Sequence, residues 1–474
     1  MTENARGFEA VKQRTRRDKK TILDTLARNA FEKGGFNGTW LYAEHGEIVS
    51  KGAVGFSDLE DKVPLREDCL FDLASVSKQF TAAAVMLLRR RGLLSLEDEI
   101  TKFFPEIPYK GVTVRHLLNH TGGLPDYMDW VDKIAKEEKT IPNNAVIVRF
   151  LCECGEEASF APGEQFEYSN TGYCLLAQIV ETVAGVPFED FLRDNIFEPA
   201  GMHATRVYHR RKDKVVIPNL AWGLSLPLGS DRYELPDGLP GDSAAVTCDG
   251  ANGDGLVHSN IFDLLQWDRA LRAEKVLTKE EQMLMATPGR LNNGEIGIDK
   301  DEDDDPDYGY GFGWDVLDDP DFGLIVCHSG GWPGYSNWYE RFVDADRVLI
   351  RLRCRDVRDE RAWQSFSRGL KAITRDKEPG RVRSIEELAI QNPDKSGWAA
   401  LCGKYDYAIG DFRIEEIFLQ DGELYAQAND DGRALELRLY PLGEKTFGIK
   451  DLDADLALSD GTLTLYGVMG KKTE

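Results

Sequence analysis

The chain has 474 residues, 42% of them hydrophobic and 10% aromatic, a globular composition long enough to exceed one hydrophobic core. Its 58 Lys and Arg against 82 Asp and Glu leave a formal charge of -24, which repels nucleic acid and anionic membranes and points to a small-molecule or short-peptide substrate. No apolar run approaches the roughly 20 residues of a membrane-spanning helix. Eight scattered Cys, with Cys152 and Cys154 the one close pair, and seven dispersed His lack metal or redox spacing, so neither metal nor cofactor is expected.

Residues 1–20 read as a basic, solvated arm, with its cations clustered from Lys12 to Lys20. The arm lacks the apolar core of a secretory signal, so with Met1 as the native start the expected location is the cytoplasm, with reduced thiols. Apolar residues at helical intervals predict a helix over 21–32, stopped by Gly34 and Gly35. Two strands, Trp40 to Ala43 and Ile48 to Val54, follow around a His45-Gly46 turn. From about Ser75 to Leu271 the pattern is mainly helical, broken by loops at 121–126 and 217–256. Strand signals return at Gly323 to Cys327 and Arg347 to Cys354, followed by a helix from about Ala362 to Ile373. These elements predict an antiparallel sheet flanked by terminal helices, with a helical region to one side and a cleft between.

A linker is expected over 381–397. From 398 to 474 the pattern is short strands, with Tyr405, Phe412, Ile414, Ile417, Leu419, Leu424, Leu435, Leu437, Leu439, Phe447, Leu463 and Leu465 alternating with polar residues. Asp421-Gly422 and Asp460-Gly461 supply turns, and the whole predicts a small β-barrel. The acidic stretch 299–307 lacks the spaced ligands of a calcium loop and reads as solvated.

Ser75-Val76-Ser77-Lys78 is the one Ser-x-x-Lys of the chain, and it opens a strong helix ended by Gly92. Residues three apart share a helix face, which puts the Lys78 amine within reach of the Ser75 hydroxyl. The helix start lowers the amine pKa and leaves backbone N–H groups for an oxyanion. An ordinary N-cap Ser with an exposed Lys has the same four letters, so further elements must decide.

Tyr168-Ser169-Asn170 lies in a loop opened by Ala161-Pro162-Gly163 and followed by a helix from about Tyr173. Tyr168 can relay a proton there, and Asn170 can hold a substrate amide while ordering Lys78. A second Tyr-Ser-Asn at 335–337 reads as structural. His328-Ser329-Gly330-Gly331 follows the strand at 323–327 and is expected to form a substrate-facing wall, with Gly331 N–H as second oxyanion donor beside Ser75 N–H. Its rival, His120-Thr121-Gly122-Gly123, follows a helical stretch and reads as a loop brace.

In this order the elements resemble the family of class C β-lactamases, low-molecular-mass penicillin-binding proteins, D-aminopeptidases and related esterases. The resemblance spans about residues 30–375 and extends to stretches at 116–127, 168–181, 253–271 and 308–316. It implies an α+β fold: a β-lactamase/transpeptidase-like domain over 21–380, then a small all-β barrel-like domain over 398–474. It also implies Ser75 as nucleophile, Lys78 as general base, Tyr168 as proton relay, and substrate contacts from Asn170, His328, Ser329 and Gly330. Which of Lys78 and Tyr168 is the base in each step is left open.

His328 stands where β-lactamases usually carry Lys, which puts carboxylate recognition in doubt and resembles the D-aminopeptidase branch and peptidases with a lipocalin-like tail. The expected function is amide hydrolysis on small peptides, with D-residues among them. Ester hydrolysis is the close alternative, and a penicillin-binding or scaffold protein acylated without turnover is the alternative of another class. Homo-oligomerisation is left open.

Overall fold

In the computed structural model, which describes residues 3–239, 244–299, 307–459 and 461–473 and no side chains for 3–17, 138 and 299, the N-terminal hairpin forms from Gly38–Glu44 and Glu47–Val54. Its turn residues His45 and Gly46 have φ of 50° and 74°, the doubly left-handed conformation that suits the twist of the flanking strands. The hairpin forms one edge of an eight-stranded sheet. Its spatial order is Glu47–Val54, Gly38–Glu44, Arg347–Arg353, Tyr335–Phe342, Gly323–Trp332, Asp315–Asp319, Tyr308–Tyr310 and Ile298–Asp299. All its neighbouring strands are antiparallel.

The strand predicted over 323–327 runs on to Trp332, so His328, Ser329, Gly330 and Gly331 lie inside the sheet and pair with Tyr339, Trp338, Asn337 and Ser336. Tyr335–Phe342 carries no apolar alternation because Asn337, Glu340 and Arg341 are buried in it. Arg341 is compensated there by Asp268 at 2.7 Å.

Helix Lys78–Arg90 is buried at every position from Lys78 to Leu88, as an interior helix must be. It packs on helix Asn170–Ala184, while helix Ile261–Arg272 lies against Gly38–Glu44 and Arg347–Arg353. The region expected to be helical also holds the strands Val257–Ser259 and Arg206–Val207, which form a three-stranded sheet with Phe71–Asp72 just before it, all too short to show a period. All these elements belong to one compact unit, Gly38–Gly223 with Leu235–Cys354.

The second unit comprises Met1–Asn37, Leu224–Glu234 and Arg355–Glu474. Its first helix runs over Glu3–Glu32 instead of starting near residue 21, because the basic arm is rich in helix formers and free of Pro. It packs on helix Glu360–Thr374, with Gly369 against Leu26. The stretch 381–397 contains a capped turn, Ile385–Leu388.

Eight strands from Gly403–Ile409 to Val468–Lys472 then close a barrel in sequence order, the first pairing with the last through Tyr405 and Lys472. Side chains fill its interior: Ile417, Leu424, Leu439, Phe447, Leu456, Leu463 and Leu465 are fully buried. Ile414 and Ile417 both point inward, three residues apart, because a bulge between Ile414 and Glu416 resets the alternation. Most of the acidic stretch and Asp460 lie outside the described residues. No helix among the described residues is long and apolar enough to cross a membrane.

Candidate active site

The short strand Phe71–Asp72 leads into a tight turn. Ala74 N–H donates to Asp72 Oδ1 at 2.9 Å, and Asn337 Nδ2 donates to the Asp72 carbonyl at 2.8 Å. The turn holds Ala74 at φ 47°, a left-handed conformation that costs a non-glycine residue about 1–2 kcal/mol, immediately before Ser75. Ala74–Ser77 form a 3-10 turn, and the α-helix proper begins at Lys78.

Lys78 has no exposed surface. Its Nζ lies 2.9 Å from each of Ser75 Oγ, Asn170 Oδ1 and the Asp254 carbonyl oxygen. Burial lowers its pKa from 10.5 to about 8, against the opposing pull of Asp254, Cys174 and Asp126. As an ammonium, Lys78 donates to all three oxygens. As a free amine it donates to Asn170 and Asp254 and turns its lone pair to the Ser75 hydroxyl, the arrangement that accepts a proton.

Asn170 is the first residue of its helix, capped by Ser169, whose Oγ accepts from Gly172 N–H at 3.1 Å. With Oδ1 on Lys78, its Nδ2 reaches Met128 Sδ at 3.4 Å. The Tyr168 ring lies 4.9 Å from Lys78 Nζ. Its buried hydroxyl lies near Ser75 but makes no hydrogen bond of good geometry. Burial pushes that hydroxyl well above its ordinary range, and Ser75 is close enough to pull the other way. Tyr168 thus stays protonated.

The His120 ring packs tilted against Tyr168, centroids 4.3 Å apart, and accepts from Ser169 N–H at 3.0 Å through Nδ1. It braces the Tyr168 loop, and burial keeps it neutral. The second Tyr-Ser-Asn serves packing, with the Tyr335 hydroxyl on the Ala221 carbonyl at 2.7 Å and Asn337 on Asp72.

His328 is 2% exposed and does not line the cavity beside Ser75. Its Nδ1–H donates to the Ser329 carbonyl at 2.6 Å, and its Nε2 accepts from the Tyr310 hydroxyl at 2.9 Å. Burial, then Lys78, pushes its pKa down to about 3, so the ring is neutral rather than partly charged. Ser329 is exposed. Gly330 is buried with no room for a side chain: a Cβ there would meet the Leu73 carbonyl at 2.2 Å, so only glycine lets this strand approach the nucleophile turn. Gly331 faces open space and lines the cavity.

The structure therefore gathers Ser75, Lys78, Tyr168, Asn170 and Gly331, and keeps His328 and Gly330 buried in the strand. The cavity, about 240 Å³, also takes in Asp72, Tyr127, Met128, Asp254, Leu256 and Trp332. Among these, Asp254 was not singled out in the sequence, although its carbonyl holds Lys78 and its carboxylate accepts from the Tyr127 hydroxyl at 3.0 Å. Its one sequence signal is an acid between two glycines. Gly253, at φ 99°, is forced by contact with helix Asn170–Ala184, where a Cβ would meet the Tyr173 carbonyl at 2.5 Å. Among the described residues no three His, Cys, Asp or Glu are placed to hold a metal.

A hydroxyl and a buried amine of lowered pKa in one helical turn, with glycine backbone at the cavity wall, define a serine hydrolase. The chain belongs to the beta-lactamase family, whose model matches residues 23–359. Penicillin-binding protein 4* of Bacillus subtilis (strain 168) is 37% identical over 453 residues, 95% of each chain. Two solved structures share the fold. The octameric penicillin-binding protein homologue from Pyrococcus abyssi has a TM-score of 0.63 at 22% identity, covering 95% of this chain and 99% of that one. The D-amino acid amidase from Ochrobactrum anthropi SV3 complexed with D-phenylalanine has a TM-score of 0.58 at 24% identity, covering 71% and 91%.

Proposed function

We propose that this serine hydrolase cleaves amide bonds of small peptides and amino-acid amides, D-residues among them, through an acyl-enzyme on Ser75. The observation that carries the reading is the Lys78 amine, fully buried, held at about 8 and 2.9 Å from Ser75 Oγ. Ser75 Oγ passes its proton to Lys78 and attacks the carbonyl carbon, and the backbone N–H groups of Ser75 and Gly331 hold the oxyanion. The C–N bond breaks as the leaving amine takes the Tyr168 proton, which Lys78 replaces. Water then attacks the acyl group, its proton passes to Lys78, and Ser75 recovers that proton as the acid leaves.

Tyr168 is the donor in this scheme because its raised pKa keeps it protonated, which leaves Lys78 as the base. The D-residue preference rests on the resemblance to the D-aminopeptidase branch. The Bacillus relative is named for binding penicillin, so β-lactam acylation of Ser75 is the second reading. Against it, none of the described residues lining the cavity is Lys, Arg or His to meet a β-lactam carboxylate. A homo-oligomer and a cytoplasmic location complete the proposal. The Pyrococcus homologue is described as octameric, and the free thiols of Cys69, Cys174 and Cys248 suit a reducing compartment.

The test is a hydrolysis panel of D- and L-aminoacyl p-nitroanilides, short-chain p-nitrophenyl esters and a chromogenic cephalosporin, with native protein and Ser75→Ala. Anilide cleavage that disappears in the variant supports the amidase reading. Cleavage of esters alone replaces it with an esterase, and activity that survives intact in Ser75→Ala overturns the mechanism.

A further inference from the structure

The cavity beside Ser75 is lined by two acidic residues, Asp72 and Asp254, and by no cationic residue among its described lining. Asp72 is 5% exposed, with Oδ1 taken by Ala74 N–H. Asp254 is half-buried, and its Oδ2 accepts from the Tyr127 hydroxyl. We propose that Asp254 anchors a primary ammonium on the substrate, the free amino group of the residue whose carbonyl Ser75 attacks. This inference rests on the acyl-enzyme reading and names the group that the site recognises.

Proximity to the nucleophile carries the assignment. An α-amino nitrogen lies only about 2.5 Å from its own carbonyl carbon, so its anchor must stand close to the attacking oxygen. The Asp254 carbonyl is two hydrogen bonds from Ser75 Oγ, both made by Lys78 Nζ, and Asp254 lines the same cavity. Met128, Leu256 and Trp332 offer apolar surface for the substrate side chain. A cation that loses water there needs a charge partner, which Asp254 supplies, whereas a substrate carboxylate would meet two acids.

Catalysis gains from the same contact. Asp254 is the strongest of the groups that favour the charged form of Lys78. A substrate ammonium on Asp254 offsets that pull and releases Lys78 as the free amine, so the substrate that fits also frees the base.

The test compares both enantiomers of phenylalanine methyl ester with methyl 3-phenylpropanoate, which lacks the amine, at pH 7 in native protein and Asp254→Asn. The expected result is at least a tenfold preference in kcat/KM for an amino ester, reduced at least tenfold in Asp254→Asn. The ratio cancels the direct effect of the substitution on Lys78, which both substrates meet alike, and binding measured without turnover separates the anchor from the release of Lys78 by the bound ammonium. Equal rates on the two ester types, or a ratio within threefold of native in the variant, overturns the proposal.

Calorimetric titration of Ser75→Ala protein with phenylalaninamide and with 3-phenylpropanamide, with and without Asp254→Asn, reads the subsite without turnover. Tighter binding of the amine that depends on Asp254 supports the subsite, and equal binding overturns it. Asp254→Ser serves where the Asn variant misfolds. Hydrolysis without amine preference removes the subsite and keeps the hydrolase, and Asp254-dependent amine binding without any hydrolysis does the reverse.

Discussion

The pH dependence of turnover follows from Lys78. With the amine held at about 8, the free base is about 1% of the protein at pH 6, about 9% at pH 7 and half at pH 8. If the free amine takes the Ser75 proton, kcat/KM climbs close to tenfold from pH 6 to 7, about fivefold from 7 to 8, and levels near pH 9. The assay is initial-rate hydrolysis of p-nitrophenyl acetate, which does not titrate in this range, corrected for spontaneous hydrolysis. Lys78→Arg, which keeps the charge and cannot give up the proton, should lose about 10²–10⁴-fold and show no inflection. A profile flat between pH 6 and 9, or an inflection near the ordinary lysine value of about 10.4, would remove Lys78 as the base.

Lys78 also leaves a signature in stability. Between pH 8 and 10.5 the unfolded chain binds a proton at this lysine that the folded protein lacks, so folding gains as pH rises through that window. The unfolding free energy of native protein relative to Lys78→Met should shift toward native by up to about 3 kcal/mol across it and stay level below pH 8, read by denaturant titration. Gly330→Ala puts a Cβ 2.2 Å from the Leu73 carbonyl and should destabilise by about 1–3 kcal/mol with loss of kcat, whereas Gly331→Ala meets open space and should melt like native. Tyr168→Phe should reduce anilide turnover by about 10²–10⁴-fold and ester turnover far less, because the poorer leaving group needs the proton. Equal losses on both substrates would remove Tyr168 as leaving-group acid.

Ser75 and Lys78 were legible because a three-residue spacing on a helix is itself a geometric statement. Tyr168 and Asn170 stood out because a Pro-Gly loop before a helix presents side chains at a fixed place. The barrel showed through its alternation, which filled interiors enforce, although the bulge after Ile414 shifted the count and Leu419 is exposed.

What stayed hidden depends on backbone and burial. Asp254 holds Lys78 with a carbonyl that every residue possesses, and the left-handed Ala74 has no letter of its own. Tyr335–Phe342 gave no strand signal because its buried face carries polar groups whose partners lie far along the chain. His328 looked like a partly charged wall residue, yet its neutrality follows from burial and from the nearby Lys78, neither readable from a His-Ser-Gly-Gly run. The basic arm differed for a local reason, since helix formers without Pro extend a helix already nucleated beyond them.

The central claim is a covalent bond to Ser75. Native protein and Ser75→Ala are each mixed with a slowly deacylating substrate, an activated ester or β-lactam, quenched in acid and measured by intact-protein mass spectrometry with peptide mapping. One acyl adduct is expected on the native protein, mapped to Ser75 and absent from Ser75→Ala. An adduct on another residue, or equal labelling of both proteins, would contradict it.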